Sequence, residues 1–329
     1  MLSTPYDVAI VGAGPAGLAC AIEAKRAGLT HIVFDKGCLV NSLTHFPVNM
    51  VFFTTPELLE IGDLPLVSAH EKPNRVEGLK YYRRVAETYA LNVHQFEKVE
   101  RVEGRDGNFG LFTRDRLGRS HAYNSRKLVV ATGYYDNPNM LGIPGETLPK
   151  VSHYYTEAHP FYDQEVAVIG GKNSAVEAAL DLFRNGAHVT LIYRGAEFSG
   201  SVKYWVKPDI ENRLKRGEIK AHFNTNVAEI RPESILIHNS SGTEELRNDY
   251  VFALTGYRPD EKFLRSLGIQ LNSSDLKPNI NAETLETNVP GIHLAGSVVA
   301  GLKNNEIFIE NGRFHGKAVI QSIRGHLRG

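Results

Sequence analysis

Chemistry in this 329-residue chain begins at two glycine-rich turns. The first is Val8-Ala9-Ile10-Val11-Gly12-Ala13-Gly14-Pro15-Ala16-Gly17. It follows an apolar run and opens a helical pattern, the context in which G-x-G-x-x-G cradles a pyrophosphate. Gly12 makes the tight turn, Gly14 lets the backbone approach the phosphates, and Gly17 lets helix and strand pack closely. Pro15 and Ala16 complete the loop, and the helix start offers N–H donors and a favourable dipole. Asp35 ends the next strand, where a carboxylate holds ribose hydroxyls.

The second turn is Val166-Ala167-Val168-Ile169-Gly170-Gly171-Lys172-Asn173-Ser174-Ala175. It fits G-x-G-x-x-A except at its middle position, where Lys172 either points away or brings charge to the phosphates. Gly170 and Gly171 keep the turn flexible. The next strand ends in Tyr193-Arg194. An acid there marks NAD, whereas arginine accepts a 2′-phosphate through two parallel hydrogen bonds, so NADPH is expected. Lys203 is a second candidate cation, with a solvated surface lysine as the plainer reading. Gly256, in a later turn, is assigned to the same site. Two such sites on one chain imply hydride transfer from a nicotinamide to a flavin.

These turns require strands and helices to carry them. Asp7 to Val11 reads as a strand, the pattern to Arg26 as a helix stopped at Gly28, and His31 to Phe34 as the next strand. Glu165 to Tyr193 repeats this strand–helix–strand unit, with the helix over Ser174 to Arg184 and its stop at Gly186. Val99 to Arg114 and Ser120 to Val130 read as paired strands, Gly291 to Gly296 as a strand entering a turn, and Glu306 to Arg324 as mostly helical. The expected fold is α/β, with two Rossmann-like three-layer dinucleotide-binding domains, the NADPH domain inserted in a discontinuous FAD domain. Residues 1–133 and 258–329 form the FAD domain and 155–256 the NADPH domain, joined by linkers 134–154 and 257–260.

Composition excludes several function classes. Lys+Arg and Asp+Glu both number 37, so no basic field for nucleic acid or an anionic membrane is expected. No apolar run reaches the length of a membrane span, and Met1 to Asp7 lacks the features of a cleaved signal. Two cysteines, Cys20 and Cys38, exclude a disulfide-rich scaffold and a cysteine-rich metal site, and fit a cytoplasmic protein. The 13 histidines include no metal-binding spacing. No G-x-S-x-G is present, which argues against a serine hydrolase. His153 and His159 flank the route into the second domain and are candidate acid–base groups, against a plainer role as hydrogen-bonding residues.

More extended strings carry a resemblance. Asn41-Ser42, Phe52-Phe53-Thr54-Thr55, Thr132-Gly133-Tyr134-Tyr135, His153-Tyr154, Tyr193-Arg194-Gly195, Ile307-Phe308-Ile309-Glu310-Asn311-Gly312 and Phe314-His315-Gly316 are seven of them. With the two turns, they resemble the thioredoxin-reductase-like branch of the flavoprotein disulfide reductases, and within it the bacillithiol disulfide reductase family, over essentially the whole length. Lys172 belongs to that family's own pattern. The resemblance implies a cytoplasmic, homodimeric or homotetrameric enzyme with FAD and NADPH, acting on bacillithiol disulfide. It implies FAD contacts at Lys36, Asn41, Phe52, Thr54, Thr132, Gly133, Gly296, Ser297 and Ile307, and a helix opening at Glu306 to Asn311 that points its N-terminus at the flavin. The chain departs from the family at two positions. Ala16 stands where the family has a cysteine in the first glycine turn, and Ser297 stands where an acid usually follows Gly296. No C-x-x-C is present. The acceptor is therefore a small disulfide or a small electron-carrier protein. Alternative readings are a ferredoxin or flavodoxin–NADP reductase and a non-enzymatic flavin redox sensor.

Overall fold

The computed structural model describes residues 4–303 and 305–328. They fall into two compact units. The first runs to Thr44, resumes over Met50–Asn137 and again from Tyr257; the second holds His45–Asn49 and Pro138–Gly256. The stretch 134–154, read above as a linker, is thus shared, with its greater part counted in the second unit.

The first unit opens with β1 (Tyr6–Val11), α1 (Pro15–Arg26) and β2 (His31–Phe34). One-turn helices α2 (Asn41–Thr44) and α3 (Pro56–Leu59) precede α4 (Arg75–Thr88), then β3 (Val93–His94), β4 (Glu97–Arg105), β5 (Asn108–Asp115) and β6 (Ser120–Val130). The order in the sheet is β3-β2-β1-β6-β5-β4. Strands β3, β2, β1 and β6 run parallel; β6, β5 and β4 form an antiparallel meander. Val8 to Val11 and Leu128 to Val130 are buried, as parallel strands covered on both faces must be.

The sequence reading of Val99 to Arg114 as one strand is corrected here. It is two strands turning at Asp106-Gly107, with Gly107 at φ +82°. Asp-Gly is a strong hairpin signal because the turn needs positive φ, and that signal was in the sequence. Helix α4 lies outside the elements read from the sequence, although Asn74 and Glu77 form a reciprocal capping box at its start.

The second unit repeats the plan. It contains β7 (Val151–Ser152), β8 (Glu165–Ile169), α5 (Asn173–Arg184), β9 (His188–Ile192), α6 (Lys207–Lys215), β10 (Lys220–His222), β11 (Asn226–Ile230), β12 (Ser234–Asn239), β13 (Gly242–Arg247) and β14 (Tyr250–Ala253). Five parallel strands lie in the order β10-β9-β8-β14-β7, and β11-β12-β13 form a separate antiparallel sheet. Val166 and Val168 of β8 join one apolar cluster while Ala167 and Ile169 join another. That is the two-residue alternation of a strand buried on both faces.

The chain then returns to the first unit as α7 (Glu261–Ser266), β15 (Ile292–Leu294), α8 (Ile309–Gly312) and α9 (His315–Arg328). Strand β15 pairs with the end of β6 at Leu128 to Val130, beyond the β5 pairing. The expected helix over Glu306 to Arg324 is corrected to two pieces. One turn, α8, starts at Ile309, and α9 starts only after Arg313-Phe314. With a single turn, α8 aligns too few peptides to project a useful dipole. Helix α9 lies along α1 at a glycine. A Cβ on Gly316 would fall 2.7 Å from the carbonyl carbon of Ala19. Helix α1 is consequently covered by both sheet and helix, and Leu18, Cys20 and Ile22 have no exposure.

Candidate functional site: two glycine turns at the ends of two parallel sheets

The first turn is built by close approach. Gly12 has φ +112°, and a Cβ there would lie 2.3 Å from the carbonyl oxygen of Ala131 at the end of β6. A Cβ on Gly17 would lie 1.9 Å from the carbonyl oxygen of Gly12, which explains why α1 can begin directly behind the turn. At Gly14, the N-cap of α1, nothing stands within 4 Å of where a Cβ would be. No side chain caps α1, and its first turn has no acid. Its leading N–H groups therefore face open space, where an anion fits.

Strand ends complete the pocket. Asp35 follows β2. Its Oδ2 accepts the Ala13 N–H and its Oδ1 the Gly37 N–H, both at 2.8 Å. Burial pushes its carboxyl pKa up, and these two N–H donors oppose that shift. Each carboxylate oxygen keeps acceptor capacity for a hydroxyl. Thr132, after β6, holds a buried Oγ1 without a hydrogen-bond partner among the described residues. Gly133 lies at φ +66°, and its Cβ would stand 3.4 Å from Oγ of Ser297. Gly296 would meet the Cβ of Ala16 at 2.8 Å. Residues 12–17, 35, 132–133 and 296–297 thus converge at the carboxyl ends of β1, β2, β6 and β15, the edge where α/β sheets bind ligands. An open helix start, an orphaned buried hydroxyl and a half-buried carboxylate together fit a dinucleotide.

Other first-site candidates have local partners. Lys36 pairs with Asp136 at 3.1 Å. The Asn41 Oδ1 accepts from the Cys38 thiol at 3.7 Å, and its amide fills the space beside Gly37. Phe52 is buried against Gly78 of α4, a packing role, and Thr54 is buried beside it in sequence. Ile307 packs against Gly312. The helix expected from Glu306 to face the flavin is the one-turn α8 described above.

The second turn has the same construction. Gly170 lies at φ +146°, and its Cβ would be 2.6 Å from the Leu254 carbonyl oxygen and 2.9 Å from the Cβ of Ala175. Lys172 is the extended N-cap of α5, exposed and in no ion pair among the described residues. Ser174 is exposed in the first turn of α5. Asn173 ties the following loop to that turn: its Nδ2 donates to Ser201 O and its Oδ1 accepts from Lys203 N, both at 2.9 Å. Arg194 is exposed beyond β9 and makes no ion pair among the described residues. Lys203 is a different case, since its ammonium lies 2.6 Å from Oε1 of Glu177. Gly256, at φ +89°, accepts the Asn139 N–H after β14, the position that Thr132-Gly133 occupies after β6.

The sequence reading gave Gly171 to flexibility, but the structure gives it a neighbour. A Cβ on Gly171 would fall 2.4 Å from the Tyr193 ring, and one on Gly195 would fall 2.6 Å from it. The ring sits in a slot between two glycines, directly before Arg194. Such a contact leaves no local signal, since Gly171 and Tyr193 are on different strand ends.

The histidine candidates are not placed at either turn. His153 Nδ1 donates to the Ala253 carbonyl at 3.1 Å, and its Nε2 lies 3.4 Å from Oε1 of buried Glu146. Glu146 in turn accepts the N–H groups of Leu141 and Gly142. This is an anchoring cluster inside the second unit. His159 is exposed in a short 3-10 turn. Both cysteines are free; Cys20 is fully buried, which pushes its thiol up to about 12. Trp205 is half exposed and meets Tyr204 edge-on at 4.9 Å.

Comparison with known proteins follows the same lines. The family described as pyridine nucleotide-disulphide oxidoreductase matches residues 9–296. Bacilliredoxin reductase Bdr of Bacillus subtilis (strain 168) is 43% identical over 317 residues, covering 95% of this chain and 96% of its own length. The solved bacillithiol disulfide reductase of Bacillus cereus superposes with a TM-score of 0.96 at 43% identity, over 98% of this chain and 100% of that one. Its Staphylococcus aureus counterpart gives 0.93 at 41% identity over 99% of both.

Proposed function

We propose the function from one premise: this chain belongs to the pyridine nucleotide-disulphide oxidoreductase family, and within it to the bacillithiol disulfide reductase group. It is an FAD-dependent NADPH oxidoreductase whose acceptor is the disulfide of bacillithiol. The observation that carries this reading is the pair of glycine turns, each opening onto an uncapped helix start at the carboxyl edge of its own parallel sheet.

FAD in the first turn supplies two-electron relay between NADPH and a disulfide. Gly12, Gly14 and the first N–H groups of α1 hold its pyrophosphate, Asp35 its ribose, and Thr132 and Ser297 offer hydroxyls at the strand ends. In the second unit Gly170, Lys172 and the start of α5 hold the NADPH pyrophosphate, and Arg194 reads the 2′-phosphate. No cysteine pair stands between cofactor and acceptor. Cys20 stays a neutral thiol inside the first unit, and Cys38 is half-buried against Asn41. In this reading the acceptor's S–S bond breaks without a mixed disulfide to the protein, because Ala16 puts no thiol in the first glycine turn and Cys20 is buried. Both sulfurs leave as thiols, NADPH provides two electrons and one proton, and solvent provides the second proton.

The Bacillus subtilis relative's name favours a second acceptor, a bacilliredoxin carrying the disulfide. Anaerobic stopped-flow absorbance at the flavin band tests both. Protein reduced with one equivalent of NADPH is mixed with bacillithiol disulfide or with oxidised bacilliredoxin. Rapid, stoichiometric return of oxidised flavin is expected with the small disulfide. Return with the redoxin alone would move the acceptor to the protein, and a bleached flavin with both would sink the disulfide-reductase reading.

A further inference from the structure

The turn that closes the first site is held from behind by a histidine. Gly296 lies at φ +76° between the start of α1 and the end of α8, against Ala16 and with its Cα 3.4 Å from where a Cβ of Gly312 would stand. A peptide squeezed from both sides has rotation as its main remaining freedom. Its N–H donates to Nδ1 of His315, the first residue of α9, at 3.0 Å. An imidazole nitrogen that accepts must be unprotonated, so this ring is neutral with its proton on Nε2. Burial lowers the His315 pKa, and the start of α9 also disfavours positive charge on the ring. The turn itself, Ala295 to Val299, carries no charged side chain. Without charge, its hold on a ligand rests on hydrogen bonds, and the Ser297 Oγ stands 3.4 Å from where a Cβ of Gly133 would lie.

We propose that His315 is a positioning residue for the flavin site: by accepting the Gly296 N–H it fixes the peptide that aims Ser297 toward the bound cofactor. This rests on the reading of the first turn as an FAD site. The residue does not touch the reacting atoms in this account; it acts through the Gly296 peptide. Neither glycine motif contains it, and it comes from a helix that begins after both.

The test compares purified holoenzyme of the wild type, His315→Leu and His315→Asn. Leucine and asparagine have nearly the same shape, but only asparagine offers an acceptor. The readouts are the rate of FAD release, followed as the rise of free-FAD fluorescence after dilution, and the far-UV spectrum. Losing one buried hydrogen bond is worth about 1.4 kcal/mol, or roughly tenfold. FAD should leave His315→Leu about tenfold faster, with folding unchanged, and His315→Asn should return most of the way to wild type. Equal release from all three proteins overturns the proposal. Equally fast release from both variants overturns the acceptor role and leaves His315 as packing. If His315→Leu does not fold, His315→Ala takes its place against the same asparagine control. A wild type that never holds FAD would instead overturn the reading of the site.

Discussion

At the residue scale the proposed chemistry is tested at Arg194 and at the two cysteines. Arg194 is exposed and makes no ion pair among the described residues, which suits the proposed contact to a doubly charged 2′-phosphate. Arg194→Ala should raise KM for NADPH by about tenfold while leaving KM for NADH nearly unchanged. Steady-state kinetics with both nucleotides check this, and an equal rise for both would remove the 2′-phosphate role. Cys20 and Cys38 should be dispensable. The double variant Cys20→Ala/Cys38→Ser is expected to keep kcat/KM for bacillithiol disulfide within about twofold. Brief iodoacetamide treatment followed by mass spectrometry should label Cys38 and spare Cys20, whose thiol is buried and resists ionisation. Loss of turnover on removing either cysteine would reinstate a protein thiol in the pathway.

Elements are positioned by contacts that glycine permits. Gly316 lets α9 approach the backbone of α1 at Ala19 and Cys20. Gly316→Val would force backbone, not a flexible side-chain tip, to move, and should cost about 3 kcal/mol of stability. Urea unfolding measures it; a change below about 1 kcal/mol would mean the helices separate easily at that point. The strand–helix–strand units around both glycine turns were legible because their signals are local: an apolar run, a turn, a helical period and a stop glycine. The Asp106-Gly107 hairpin rests on an equally local signal, an Asp-Gly turn. The shortness of α8 was not legible. Glu306 to Arg324 has a usable helical pattern, but it breaks at Arg313-Phe314, just after Gly312 comes close to Ile307 and Gly296.

At the scale of the molecule, stability should respond to acid through buried histidines. His293 of β15 has no exposure, and desolvation lowers its pKa to about 4 from an ordinary 6.5. The unfolded chain then binds the proton first as pH falls. Stability from this group is complete above about pH 6.5 and is lost progressively down to about pH 4, by roughly 3 kcal/mol in all. Burial lowers His31 and His315 as well, with the same sign. Urea denaturation across this range should show a slope that shrinks by about one proton in His293→Gln. An unchanged slope would assign the acid sensitivity elsewhere. The division of the chain belongs to this scale too. Residues 45–49, expected in the first domain, are grouped with the second unit, where Val48 donates to the Thr156 carbonyl.

The sequence by itself determined the two dinucleotide-type turns, their order along the chain, the arginine after β9 and the absence of a cysteine pair. Each of these is a matter of residue type at short spacing, which local sterics and charge translate directly into structure. Only the tertiary structure decided which strand ends meet. It brought Ala131 against Gly12, Ser297 beside Gly133, Tyr193 between Gly171 and Gly195, and His315 behind Gly296. It also placed His153 in an anchoring cluster with Ala253 and Glu146. Most of those partners lie far apart along the chain, and no propensity or spacing records them. They become neighbours only when parallel strands align their carboxyl ends and burial leaves no other place for the side chains.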